Sequence, residues 1–312
     1  MREASTSPNP FDQACRYLVK MDPQGVIGFL TGMGPQQFTF EKWIDARRAR
    51  FPREPDRTCD TVARITNHER GDEPWVSITE FQLDADPLMS GRMMGYGGAF
   101  WLEYKSSKEA GDRYRLGFIV VNLRGRGHAS LDMQWESAGF GMTMTVHEWN
   151  LEFEDAIATM DRIEAGTAPL AILPWIPVMR HGSEIGTIER WKRLAEREPD
   201  LLKRRDYGGL VVVFAEVTKC QDVWKEALKE WNVVRSVVVD EWFAIRETEL
   251  LVDLLQTKFG MLPTELTTQI HSVQDLPRIR ELLHEVVRVP TLEEWRNRFT
   301  TLFPRVSSGS GT

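Results

Sequence analysis

The chain has 312 residues, enough for one large core or two ordinary ones, and its 42% apolar and 27% charged content is that of a soluble globular fold. No apolar run reaches transmembrane length, and the opening MREASTSPNPF has no apolar segment of signal-peptide size, so a cytoplasmic chain without membrane partners is expected. The net charge of -7 argues against a protein that coats nucleic acid non-specifically, while leaving room for a local basic groove on an acidic body.

In chain order, the first ten residues are polar and read as a disordered lead. From Phe11 to about Leu30, apolar residues recur at helical spacing, and Pro23 and Gly25 split the run into two helical pieces. Gly32, Gly34 and Pro35 end it. The arginine-rich stretch Glu41 to Arg57 reads as a short helix followed by an extended approach. Thr58 to Thr66 alternates and is rich in β-formers, which predicts a strand; Trp75 to Leu83 is a second, clearer one. Between them, the charged segment around Gly71 suits a turn. Asp86-Pro87 has the chemistry of a helix start, and that helix is expected to run to about Lys105.

Tyr114 to Leu123 is almost continuously apolar, as in a strand buried on both faces. Gly125 and Gly127 turn the chain, and Thr143 to Trp149 reads as one more strand. After Asn150 the pattern becomes helical, with helices expected over 152–165, 185–198, 210–217, 222–230, 235–259, 276–289 and 292–302. The run LVVVFAEV at 210–217 has strand propensity, so its helical reading competes with a β alternative. The fold class is therefore α/β: a core over 9–150 with a central mixed sheet flanked by helices, a helical C-terminal region over 151–304, and a flexible tail over 305–312.

The chemistry concentrates on the second strand. Side chains alternate along it, so Val76, Ile78, Glu80 and Gln82 share one face, and two core residues give way to two polar ones. The preceding strand carries Asp60. Adjacent strands bring such carboxylates within reach of one hard cation, Mg²⁺ or Mn²⁺, and Gln82 stands where a water would need orienting. On the following helix Arg92 and Tyr96 are four residues apart and share a face near the strand end. Arg92 can pair with a carboxylate or grip a phosphate, and Tyr96 can hydrogen-bond either. Taken singly, each has a plain alternative, such as a solvated strand-end glutamate or a salt-bridged aspartate.

Together, CDTVARI and VSITEFQLDADPLMSGRMMGYGGAFW resemble the PD-(D/E)XK nucleases of the recombination-promoting nuclease and transposase (Rpn-like) group. In that group an Asp on one strand precedes E-x-Q on the next and an R-x-x-x-Y helix. Asp60, Glu80, Gln82, Arg92 and Tyr96 match in turn. LPWIPVM (173–179) and LLVDLLQTKFG (250–260) fit the same group, so the resemblance covers most of the chain. It implies a restriction-endonuclease-like core and Mg²⁺-dependent (or Mn²⁺-dependent) endonucleolytic cleavage of DNA, linked to recombination or mobile elements. Asp60 and Glu80 would bind metal, with Gln82 completing the catalytic set and Arg92 and Tyr96 supporting it. Asp12, on the first helix, is a further acidic candidate. Glutamine replaces the superfamily's usual lysine, and Lys105 or Arg92 would have to supply the missing cation. The rival reading is a catalytically silent relative that binds DNA or protein.

DNA-backbone contact is expected from the basic stretch containing Arg47, Arg48, Arg50 and Arg57, and from Arg124 and Arg126 in the glycine-rich turn. The alternative for the basic stretch is a salt-bridged, solvated face. Cys15, Cys59 and Cys220 form no CxxC pair and are expected to pack as small apolar groups rather than hold zinc. Trp191, Trp224, Trp231 and Trp242 point to packing of the helical half on the core or on a second subunit, which leaves a homo-oligomer open.

Overall fold

The computed structural model describes residues 10–45, 59–106, 112–231 and 237–303; side chains at 237–243 and 246 are outside that description. The chain divides into two compact units, Met1–Val234 and Arg235–Thr312. The division thus falls well past residue 150, because the helices between 156 and 227 are built into the same unit as the sheet.

The first unit opens with helices α1 (Pro10–Met21) and α2 (Pro23–Thr31). The break between them has a local cause. Asp22 caps α2 by accepting the Gly25 N–H at 2.9 Å, and Pro23 occupies the first turn, where its missing N–H costs nothing. Gly32 then leaves the helix at φ +71°, a conformation glycine adopts without penalty.

Strands β1 (Phe38–Ile44), β2 (Thr61–Asn67), β3 (Glu73–Asp84), β4 (Arg115–Arg124) and β7 (His147–Asn150) form one mixed sheet in the order β1-β2-β3-β4-β7. The first three strands are antiparallel neighbours, whereas β4 runs parallel to β3 and β7 parallel to β4. The α/β class with a mixed central sheet is thus as the sequence predicts. Helix α3 (Met89–Glu103) supplies the crossover from β3 to parallel β4.

The two faces of β3 are covered differently. Val76 and Ile78 share a core with Met89, Met93, Tyr96 and Phe100 of α3 and with Val120 of β4. Gly97 permits this approach, since a Cβ there would lie 2.7 Å from the Phe118 ring. Phe81 points the other way, with its ring 6.5 Å from Trp175. Trp175 belongs to a buried 3₁₀ run, Leu170–Val178, which packs with α1 and with α6 (Leu201–Val217). The LPWIPVM segment therefore backs the strand that carries Glu80. Tyr17 of α1 adds a 2.6 Å hydrogen bond to Asp206 of α6.

Several local expectations differ from the structure. Residues 41–44 belong to strand β1 rather than a helix: Phe38, Phe40 and Lys42 pair with β2, Asp45 is irregular, and 46–57 lie outside the described residues. Thr143 to Trp149 is two strands, because Met144 ends β6 (Phe140–Met144), which pairs only with β5 (Leu131–Trp135) as a separate hairpin. Helix α3 begins at Met89, three residues after Asp86, with Leu88 at the cap position and no side-chain cap. The 152–165 segment starts with a 3₁₀ turn, Leu151–Phe153, before α4 (Ala156–Glu164), whose true cap is Asp155. Helices α5 (Ile185–Ala195) and α7 (Gln221–Ala227) lie where expected, and 210–217 is helical as part of α6 despite its strand propensity.

Trp191, Trp224 and Trp231 are used within this unit. Trp191 stacks edge-on at 5.4 Å from Trp224 and 5.1 Å from Trp231, and donates its indole N–H to the Leu173 carbonyl. Cys15 and Cys59 are buried and unbridged.

The second unit contains α8 (Val237–Phe259), α9 (Thr264–His271), α10 (Leu276–Arg288) and α11 (Leu292–Leu302). Of these, α9 is absent from the sequence reading. Leu251, Leu255, Leu266, Ile270, Ile279, Leu282 and Trp295 make its core. Lys258 closes the end of α10 by donating to the Val286 and Val289 carbonyls at 2.8 and 2.7 Å. Among the described residues, no helix is long and apolar enough to cross a membrane.

Candidate metal centre

The β2–β3 register aligns Thr61 with Thr79, so the next step along the ladder sets Asp60 beside Glu80. The chain ties them together there. The Asp60 backbone N–H donates to Glu80 Oε2 at 3.1 Å, and Asp60 Oδ2 accepts the Phe81 N–H at 2.7 Å. Both carboxylates are withdrawn from solvent, with side chains 6% and 3% exposed.

Each has one arginine. Arg92, from the first turn of α3, pairs with Glu80 and also reaches Asp86 at 3.1 Å, the Tyr96 hydroxyl at 3.2 Å and Gln82 Oε1 at 3.5 Å. Arg16, from α1, pairs with Asp60 through Nη2 and through Nε, the latter at 2.9 Å. Gln82 donates to the Phe81 carbonyl at 3.0 Å and sits 3.5 Å from Glu80 Oε1. All five residues singled out on β2, β3 and α3 therefore come together, in the pairings their spacing implies.

Asp12, one turn before Arg16 on α1, is electrostatically part of this cluster. Its carboxyl is pushed up to about 7, by burial first and then by the charge of Asp60. Glu80 is raised to about 8, again by burial and then by Asp60. Asp60 is raised by burial, a shift opposed chiefly by Arg16. Tyr96 is pushed up to about 12 by burial and the Glu80 charge, so its hydroxyl keeps its proton. The common cause is burial, and for Asp12 and Glu80 the charge of Asp60 adds to it; Asp12, Asp60 and Glu80 share two guanidiniums, one of which also serves Asp86. Burial makes that excess of carboxylate costly, because charge in a low-dielectric site must be paired.

Charge and donor type both fit a divalent cation with oxygen ligands, which would relieve the excess. The present ligand geometry is less complete. All four oxygens of Asp60 and Glu80 already accept hydrogen bonds, and among the described residues no group of three His, Cys, Asp or Glu side chains is arranged to hold a metal.

Arg16 and Asp86 were not singled out as site residues from the sequence. The available signal for Arg16 was its i+4 spacing from Asp12 beside the buried Ala14 and Cys15. Asp86, read as a helix cap, accepts the Leu88 N–H at 2.8 Å and anchors Arg92. Lys105 is not at the site. It follows the far end of α3, thirteen residues beyond Arg92, roughly 20 Å along a helix axis. Arg124 is paired with Asp84 at 2.7 Å and Arg126 lies over the Phe153 ring at 4.7 Å. Arg47, Arg48, Arg50 and Arg57 lie outside the described residues.

None of the protein-family models, curated proteins or solved structures compared with the chain matches it. The resemblance to the PD-(D/E)XK nucleases thus rests on the motif residues themselves.

Proposed function

We propose that the chain is a metal-dependent DNA endonuclease, with a PD-(D/E)XK-type core formed by α1, the β1-β2-β3-β4 part of the sheet and α3. The carrying observation is the buried carboxylate pair Asp60–Glu80 at the ends of adjacent strands, which shares two guanidiniums with Asp12 as a further carboxylate. Asp60 and Glu80 would hold Mg²⁺ or Mn²⁺, with Asp12 as a neighbouring carboxylate. The chemistry such an ion supplies is activation of water and neutralisation of charge on the phosphate.

The protein groups have separate tasks. Arg92, anchored at four points, fixes the direction of Glu80 and opposes, without cancelling, the rise that burial imposes on its carboxyl. Tyr96 holds that guanidinium from behind. Gln82 offers an amide to orient the attacking water, and as a neutral group it adds no charge to the transition state. Arg124 and Arg126, beyond the same ends of β3 and β4 as Gln82, are the described candidates for backbone phosphate contact. A role in recombination or mobile-element movement follows from the resemblance alone.

A second reading has one specific observation in its favour. Every oxygen of the Asp60–Glu80 pair is already satisfied by protein donors, as expected of a silent relative whose arginines have replaced the metal and which binds DNA or protein. Plasmid cleavage in Mg²⁺ or Mn²⁺ separates the two, comparing wild type with Asp60→Ala and Glu80→Ala. Nicking or linearisation by wild type alone supports the nuclease. Equal activity in all three places the chemistry elsewhere, and no cleavage by folded wild type on any DNA form supports the silent module.

A further inference from the structure

The two arginines are held very differently. Arg92 has four side-chain partners and is 18% exposed, so it is part of the wall. Arg16 has Asp60 as its described hydrogen-bond partner and is 36% exposed, with an open route to solvent. Both of its contacts converge on Asp60 Oδ1. The other oxygen, Oδ2, is committed to the Phe81 backbone N–H, which cannot leave without opening the β3 end. Oδ2 keeps one lone pair beside that bond, whereas both Arg16 contacts fall on Oδ1, so a cation that takes Oδ1 or bridges both oxygens meets Arg16 directly, and a guanidinium a few ångströms from a divalent ion is repelled by it.

We propose that Arg16 is an internal competitor for the cation at Asp60: it occupies the carboxylate in the metal-free protein and is expelled toward solvent when a divalent ion binds. This deepens the metal-centre reading and rests on it. The arrangement lets α1 neutralise a buried carboxylate until the ion arrives, at the cost of weaker metal binding. Once released, the freed guanidinium stays at the mouth of the site, where an anionic substrate would approach.

The test is Mn²⁺ binding, read from the loss of the free-ion electron paramagnetic resonance signal, in wild type, Arg16→Gln, Arg16→Lys and Asp60→Asn. Circular dichroism checks that each variant is folded. A charge-assisted hydrogen bond is lost only from the metal-free side of the equilibrium, so Arg16→Gln is expected to bind Mn²⁺ roughly tenfold more tightly than wild type. Arg16→Lys, which keeps the charge and loses the fork, should fall between them and serves if the glutamine variant does not fold. Binding by Arg16→Gln equal to or weaker than wild type, with Asp60→Asn silent, overturns the competitor role and makes Arg16 a support for Asp60. Absence of Mn²⁺ binding in every variant overturns the metal centre itself, and the inference with it.

Discussion

Among the described residues, two buried glutamates hold arginines, and their surroundings are opposite. Glu285, on α10 of the helical unit, is 9% exposed and ion-paired with Arg288 at 3.2 Å and Arg298 at 2.7 Å, both more than half exposed. One carboxylate there has two cations, each in water. Glu80, on β3, belongs to a group in which four carboxylates, Asp12, Asp60, Glu80 and Asp86, divide two guanidiniums. The first arrangement stabilises a helix packing; the second leaves charge that the fold itself does not balance. The first cluster is matched in charge by its own arginines, whereas a buried cluster short of counter-charge is what the proposed metal centre requires.

The comparison breaks most visibly on truncating the arginines. Arg92→Ala removes the guanidinium paired with buried Glu80, leaving only the more distant Arg16, and is expected to cost about 3–5 kcal/mol of unfolding free energy. Arg298→Ala leaves Glu285 paired with Arg288, and because both arginines are more than half exposed the loss is expected to cost on the order of 1 kcal/mol. Denaturant unfolding measures both, and equal costs would erase the distinction.

The pH dependence is next in size. Asp12 and Glu80 have folded-state values raised to about 7 and about 8, above those of the unfolded chain. A raised carboxyl binds its proton more tightly when folded, so the stability it contributes is complete below its unfolded value, near pH 4, and is lost as pH rises through 7 to 8. The metal-free protein should therefore melt at progressively lower temperature between pH 5 and pH 8.5. Asp12→Asn and Glu80→Gln should each flatten that slope, and a slope unchanged in both variants would mean their burial carries no such penalty.

The smallest expected effect is that of Gln82→Lys. A lysine there adds the cation the cluster lacks, and should raise the metal-free melting temperature at pH 8 by an amount worth about 0.5–1 kcal/mol. A lower melting temperature would show that the added charge does not reach Asp60 and Glu80.

Much of this cluster was legible in the sequence because it is written in local periodicities. Period two set Glu80 and Gln82 on the face of Val76 and Ile78, and the i+4 spacing stacked Tyr96 on Arg92. What escaped depends on pairings distant along the chain. Arg16 meets Asp60 across 44 positions, and nothing on α1 names its partner. Strand β1 was hidden by charge. FTFEKWI alternates, yet Glu41, Lys42 and the arginines beyond it read as a polar helix until β2 supplies the pairing partner. The split of Thr143–Trp149 between a hairpin and the sheet is likewise a matter of which strands are available to each half, not of propensity.

The most direct test of the central claim is a calorimetric titration of Mg²⁺ and Mn²⁺ into the folded wild-type protein at pH 8, with Asp60→Asn and Glu80→Gln as controls. A cluster short of counter-charge predicts saturable binding at one site, with protons released from the raised carboxyls, and loss of binding in both variants. Heats that are absent, or the same in all three proteins, would contradict the account and leave Asp60 and Glu80 as partners of Arg16 and Arg92 alone.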